Sequence, residues 1–170
     1  MKLLIVGAGG YGRLVREIAE AQGCIVDFLD DNSPLAVGKI EDIEKIEGSY
    51  DGSIVAIGNP EIKEKVYKRL KKPVSLIHPS AVVSKTAEIG RCCVIEANAV
   101  VNSEAVVKEG SFICAGAVIN HNAVVAELCQ IDCNAVVAMG AEVPEKMKVE
   151  SCTVFKKIEM AKEIGKESFF

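Results

Sequence analysis

The stretch IEANAVVNSEAVVKEGSFICAGAVINHNAVVAELCQIDCNAVVAMGAEV, residues 95–143, returns to Val or Ile at every sixth position. Counting in both directions from it gives Ile77, Val83, Ile89, Ile95, Val101, Val107, Ile113, Ile119, Val125, Ile131, Val137, Val143 and Val149, with no gap. Four residues after almost every one stands a small side chain: Ala81, Ala87, Cys93, Ala99, Ala105, Ser111, Ala117, Ala123, Cys129, Ala135 and Ala141. A helix repeats at about 3.6 residues and a simple strand at 2, so a strict six demands another geometry. Six residues make one flat strand plus a turn, and three such sides close a triangular coil of eighteen. Aliphatic residues of successive coils then stack about 4.8 Å apart along the axis, and the narrow interior explains the small residues. The repeat predicts a hexapeptide parallel β-helix over 77–154, whose last coil needs a cap. FKKIEMAKEIGKESFF, 155–170, is expected to supply that cap as a short helix.

Residues 1–76 read differently. LLIV at 3–6 runs into GAGGYG at 7–12, where Gly7, Gly9 and Gly12 match G-x-G-x-x-G. A helical pattern (Leu14, Val15, Ile18, Ala19, Ala21) stops at Gly23, and CIVDFL at 24–29 ends in Asp30 and Asp31. Glycines at such a turn let backbone approach a phosphate, and a helix N-terminus favours its charge. An acid about twenty residues on is placed to accept from a ribose hydroxyl, although strand-end acids of no special role fit the same pattern. SIVAIGN at 53–59 is predicted as a third strand, Pro60 opens a helix at its N1 position, and VSLI at 74–77 is predicted as a fourth strand. One Rossmann-like half suits a mononucleotide moiety such as a nucleoside diphosphate rather than NAD.

Composition narrows the classes. Of 170 residues 49% are hydrophobic but only 5% aromatic, and Trp is absent, so the core is built from Val, Ile, Ala and Cys. A formal net charge of −4 argues against nucleic acid as the partner. KRLKK at 68–72, the densest basic run, reads as a solvated helix end. The apolar start is too short for a signal peptide or a membrane span, so a cytoplasmic protein is expected. Seven cysteines without a CxxC point to reduced, packed thiols. Two histidines, His78 and His121, are too few for a zinc site. His78, before Pro79, reads as structural, and Asn98, Asn102, Asn120 and Asn134 as turn residues.

Taken together, GAGGYG, FLDD at 28–31, AIGN at 56–59, LIHPSA at 76–81 and NHN at 120–122 resemble the sialic acid O-acetyltransferase and UDP-4-amino-sugar N-acetyltransferase family of left-handed β-helix acyltransferases. The resemblance implies an α/β Rossmann-like half domain, a left-handed β-helix and a homotrimer whose active sites lie between subunits. It implies acetyl-CoA as co-substrate, a nucleotide-linked amino sugar or sialic acid as acceptor, and no metal. It places sugar-nucleotide contacts on Gly9, Gly10, Tyr11, Asp30, Asp31, Gly58 and Asn59. It matches His121 to the general base, oriented by Asn122, with a backbone N–H near Met139 or Gly140, one coil on, as oxyanion donor and coenzyme contact. Free imidazole titrates near pH 6.5, so a neutral base is available at neutral pH. Three departures stand out. Asn122 replaces the family's acid, and Met139 stands where glycine is usual. EVPEKMKVESCTVFKK at 142–157 takes the place of a Gly-x-Pro-Ala-like loop. They leave a second reading open, a non-catalytic member that forms the trimer and binds a sugar nucleotide; His121 would then be an outward polar residue on the coil flank.

Overall fold

The computed structural model describes residues 1–156. It begins with β1 (Lys2–Val6), α1 (Gly10–Ala21), β2 (Ile25–Leu29), β3 (Ala36–Gly38), α2 (Ile43–Ile46), β4 (Gly52–Val55) and α3 (Pro60–Tyr67). The four strands form one parallel sheet in the order β3-β2-β1-β4. β1 is buried from Leu3 to Val6, and Val15, Ile18 and Ala19 of α1 pack against the same core. The glycine turn is forced by contact. A Cβ on Gly7, whose φ is +106°, would lie 2.6 Å from the Ala56 carbonyl oxygen, and one on Gly12 would lie 2.0 Å from that of Gly7.

The sheet differs from the sequence expectation in two strands. The fourth strand of this sheet is β3, not VSLI at 74–77. Of that run only Leu76–Ile77 is strand, and it pairs with Val94–Ile95 as the first rung of the coil. The third strand is also shorter than expected, ending at Val55.

From Leu76 onward two-residue strands alternate with tight corners and stack into three parallel sheets, forming a left-handed β-helix. The register step is eighteen residues throughout: Phe112 pairs with Gln130, Val118 with Val136, Val106 with Val124. The repeating aliphatics and the small residues four later make one buried column of side chains, from Cys93 and Ile95 to Val149. Ser111, the polar member of that small set, is fully buried; its hydroxyl donates to the Ala126 carbonyl (2.8 Å) and accepts from the Cys129 amide (3.0 Å).

The corners follow the same arithmetic. The residue three after each aliphatic, from Cys92 to Cys152, has φ between 56° and 70° at all eleven corners. Asn98, Asn122, Asn134, Gly110, Gly116 and Gly140 occupy six of them, the residue types that tolerate the left-handed region best. Val154–Phe155 is the last strand, paired with Val136–Val137. Phe155 therefore belongs to the coil rather than to the expected cap, whose remaining residues from 157 lie outside the described ones.

The N-terminal domain sits on the outer face of one sheet. That face presents Leu76, Val94 and Phe112, all buried, followed by Gln130 and Lys148 beyond the domain's edge. The corner carrying His121 joins the other two sheets and is the vertex opposite this covered face.

Candidate active site

His121 occupies the corner between Val118–Ile119 and Val124–Val125 and is exposed. Its place is set locally. Asn120 Oδ1 accepts from the His121 amide at 2.8 Å, and Asn122, next along at φ 58°, turns the chain. The Asn122 Oδ1 atom lies 3.0 Å from His121 Nδ1. With an amide oxygen as partner, Nδ1 carries the proton, and the Nε2 lone pair is left to accept one from outside. Asn122 thus does two jobs, which accounts for an amide at this position: it adopts the left-handed corner and it fixes the ring.

One coil on, Met139 stands at the corner position equivalent to His121, and its side chain is 60% exposed. The two oxyanion candidates part here. The Gly140 amide donates to the His121 carbonyl at 3.3 Å, so it belongs to the coil and is unavailable. The Met139 amide has no such partner among the described residues and is free to donate.

The second cluster lies at the C-terminal ends of β1, β2 and β4. Gly9 and Gly10 are exposed at the start of α1, with no heavy atom near the place of a Cβ. No acidic residue occupies the first turn, so the positive end of α1 is uncompensated. Asp30 is committed to the fold. Its Oδ2 accepts from the Ala8 amide (2.8 Å), and its Oδ1 from the Asn32 and Ser33 amides (both 2.9 Å). Those backbone donors, Ala8 foremost, hold its carboxyl below the usual range. Asp31 differs: its Oδ1 accepts from the Ile40 amide (3.0 Å), and among the described residues its Oδ2 has no hydrogen-bond partner.

Tyr11 turns its side chain toward the coil. Its ring packs on Phe112 at 4.0 Å between centroids, joining α1 to the coil, and its hydroxyl is buried without a partner among the described residues. Burial, then the charge of Glu96, pushes that hydroxyl well above its ordinary value. The Tyr11 side chain thus anchors α1 to the coil. Asn59 caps α3, its Oδ1 accepting from the Ile62 amide at 3.0 Å, and Gly58 lines a small cavity against the coil. Sequence reasoning missed Lys63, which lines the same cavity with its amine over the Phe112 ring.

Within one chain the two clusters do not meet, since the glycine loop and His121 lie on opposite sides of the prism. All seven cysteines are free, and burial pushes the Cys93 thiol up to about 12 and that of Cys129 to about 11. Neither is a thiolate at neutral pH. Among the described residues no group of three or more His, Cys, Asp or Glu is arranged to hold a metal ion. No helix among them is long and apolar enough to cross a membrane.

Comparison with known proteins agrees with this architecture. Residues 2–70 match the PglD N-terminal domain family. UDP-N-acetylbacillosamine N-acetyltransferase of Bacillus subtilis is 31% identical over 115 residues, 55% of this chain, and the match spans half the length of that curated relative. Among solved structures, the acetyltransferase domain of PglB from Neisseria gonorrhoeae FA1090 superposes with a TM-score of 0.77 at 28% identity, covering 92% of this chain and 88% of its own. The same domain has been solved with acetyl coenzyme A. PerB from Caulobacter crescentus, solved with CoA and GDP-perosamine, shares the fold at a TM-score of 0.69 and 22% identity, over 92% of this chain and 86% of its own. In domain order and coil geometry the chain is similar to these left-handed β-helix acetyltransferases, and its residues 2–70 match the PglD-type N-terminal domain.

Proposed function

We propose that this chain is an acetyl-CoA-dependent acetyltransferase acting on a nucleotide-linked amino sugar, and that it works in the cytoplasm as a homotrimer with active sites between subunits. The observation that carries this reading is His121, with Nδ1 held by Asn122 and Nε2 facing outward at the vertex opposite the nucleotide-type loop. A second chain has to supply the missing half. The faces on either side of the vertex suit that role, carrying Val100, Val118 and Val136 on one sheet and Val106 and Val124 on the other, none of them fully covered.

The sugar nucleotide would lie against Gly9, Gly10, Asp31 and Gly58, with its amine reaching a neighbouring His121. The amine attacks the thioester carbonyl as Nε2 takes its proton. The oxyanion is met by the Met139 amide, and the departing coenzyme thiolate recovers the proton from the imidazolium. Placing both substrates in one groove supplies much of the acceleration, an oxyanion donor a further part, and no covalent enzyme intermediate is needed.

The test is to incubate the protein with acetyl-CoA and a panel of UDP- and GDP-linked 4-amino sugars, with free sialic acid, and follow the mass gain of one acetyl group. Acetylation of a nucleotide-linked sugar is expected, and His121→Ala should slow it by roughly 10²–10⁴-fold while leaving nucleotide binding intact. Acetylation unchanged by that substitution removes His121 as base. Binding of a sugar nucleotide without any acetylation favours the non-catalytic reading.

A further inference from the structure

Helix α3 is inside out at one turn. Ile62 is 49% exposed, whereas its neighbour Lys63 is 2% exposed and points toward the coil. The Lys63 Nζ atom lies 2.8 Å from the centroid of the Phe112 ring, and among the described residues it makes no ion pair or hydrogen bond. The titratable groups around it are the Cys92, Cys93, Cys114 and Cys129 thiols, all raised by burial and neutral. Burial brings the Lys63 ammonium down to about 7. The other lysines at this mouth are satisfied, Lys146 by Glu61 and Glu64 and Lys148 by Asp132 and Glu150. Lys63, Phe112, Gly58 and Pro60 line one cavity of about 150 Å³. The N-terminus of the eight-residue α3, capped by Asn59 and carrying Glu61 in its first turn, lies on its rim, so Lys63 is the cation left for an incoming anion. A cation without a counter-charge is costly to bury, and a ring face compensates only in part.

We infer that this cavity is a phosphoryl-binding subsite in which Lys63 meets the anion. The source of the phosphoryl group, the diphosphate of the sugar nucleotide, rests on the function proposed above, since Gly58 is shared with that site. On entry of the anion the amine takes up a proton and forms a charge-assisted hydrogen bond, so binding weakens as pH rises above about 7.

Calorimetry of UDP, uridine, inorganic pyrophosphate and CoA against wild type, Lys63→Met and Lys63→Arg, from pH 7 to 9, tests this. Lys63→Met keeps the apolar stem and removes the amine. UDP affinity should fall about tenfold or more, with uridine unchanged and the pH dependence gone. Lys63→Arg should retain UDP affinity and lose the pH dependence. An equal UDP-to-uridine ratio in wild type and Lys63→Met overturns the subsite. If wild type binds neither UDP nor uridine, the sugar-nucleotide reading fails. The pyrophosphate arm then decides the cavity: binding lost in Lys63→Met supports the subsite, and binding unchanged or absent overturns it. Loss confined to CoA keeps the subsite and overturns its nucleotide source. Should the variants fail to fold, NMR of the wild-type lysine Nζ serves: proton uptake on adding pyrophosphate supports the assignment, and an unmoved signal overturns it.

Discussion

Two outer faces of the coil carry the same kind of residue and are covered differently. On one sheet Leu76, Val94 and Phe112 point outward and are buried beneath the N-terminal domain. On the next, Val82, Val100, Val118, Val136 and Val154 also point outward, and Val82 remains 63% exposed. The difference teaches that the repeat specifies the inside of the prism, while the outside is specified by what docks there. The covered face also holds the aromatic contact of Tyr11 with Phe112, which a coil on its own has no use for.

The sharpest way to break the comparison is one substitution made on both faces. Val94→Lys puts an unpaired charge under the domain and should cost more than about 4 kcal/mol, seen as loss of the cooperative unfolding transition. Val118→Lys should leave the circular dichroism of the fold intact and shift the protein to a smaller assembly by light scattering; an unchanged mass would show that this face meets no partner.

A smaller effect is expected at Glu47, which ties the domain together away from either face. Its carboxylate accepts from the Ser53 hydroxyl (2.6 Å) and the Lys71 and Lys72 amides (3.0 Å). Burial works against its charge, but these donors outweigh it, so the carboxyl titrates below its usual value. The stabilisation is therefore present above the unfolded carboxyl's range, near pH 4.3, and fades as pH falls through the lower folded value. Glu47→Gln should lower stability by roughly 1–3 kcal/mol at neutral pH and flatten that acid limb in denaturant titrations.

The smallest effect belongs to the corners. Asn98 has φ 58°, so Asn98→Ala should cost about 1 kcal/mol in thermal unfolding and Asn98→Gly almost nothing.

The coil was legible because each of its thirteen positions is under the same constraint, an aliphatic rung over a narrow interior, so one miscounted residue would have shown at once. The N-terminal half has no such redundancy. VSLI reads as a sheet strand because burial in either domain asks for the same apolar run; only the pairing of Leu76 with Val94 decides, and that depends on a residue eighteen positions away. Asp30 and Asp31 look alike at a strand end, yet one clamps three backbone amides and the other accepts from the Ile40 amide alone among the described residues. Tyr11 was drawn to Phe112, a partner about a hundred residues distant, and Lys63 sits in the charged run EIKEKVYKRL, where nothing marks it as the buried one. His121 could be placed on an outward corner from the count alone, whereas its bond to Asn122 needed coordinates.

The eighteen-residue register gives the molecule an adjustable height. Every storey ends as the one below it does, so a block duplicated in phase beyond Val137 would raise the roof of the tower without disturbing the glycine turn or the domain moored at its base. The stack above the His121 corner can thus grow in steps of one storey, while the rise from the moored domain to that corner stays constant.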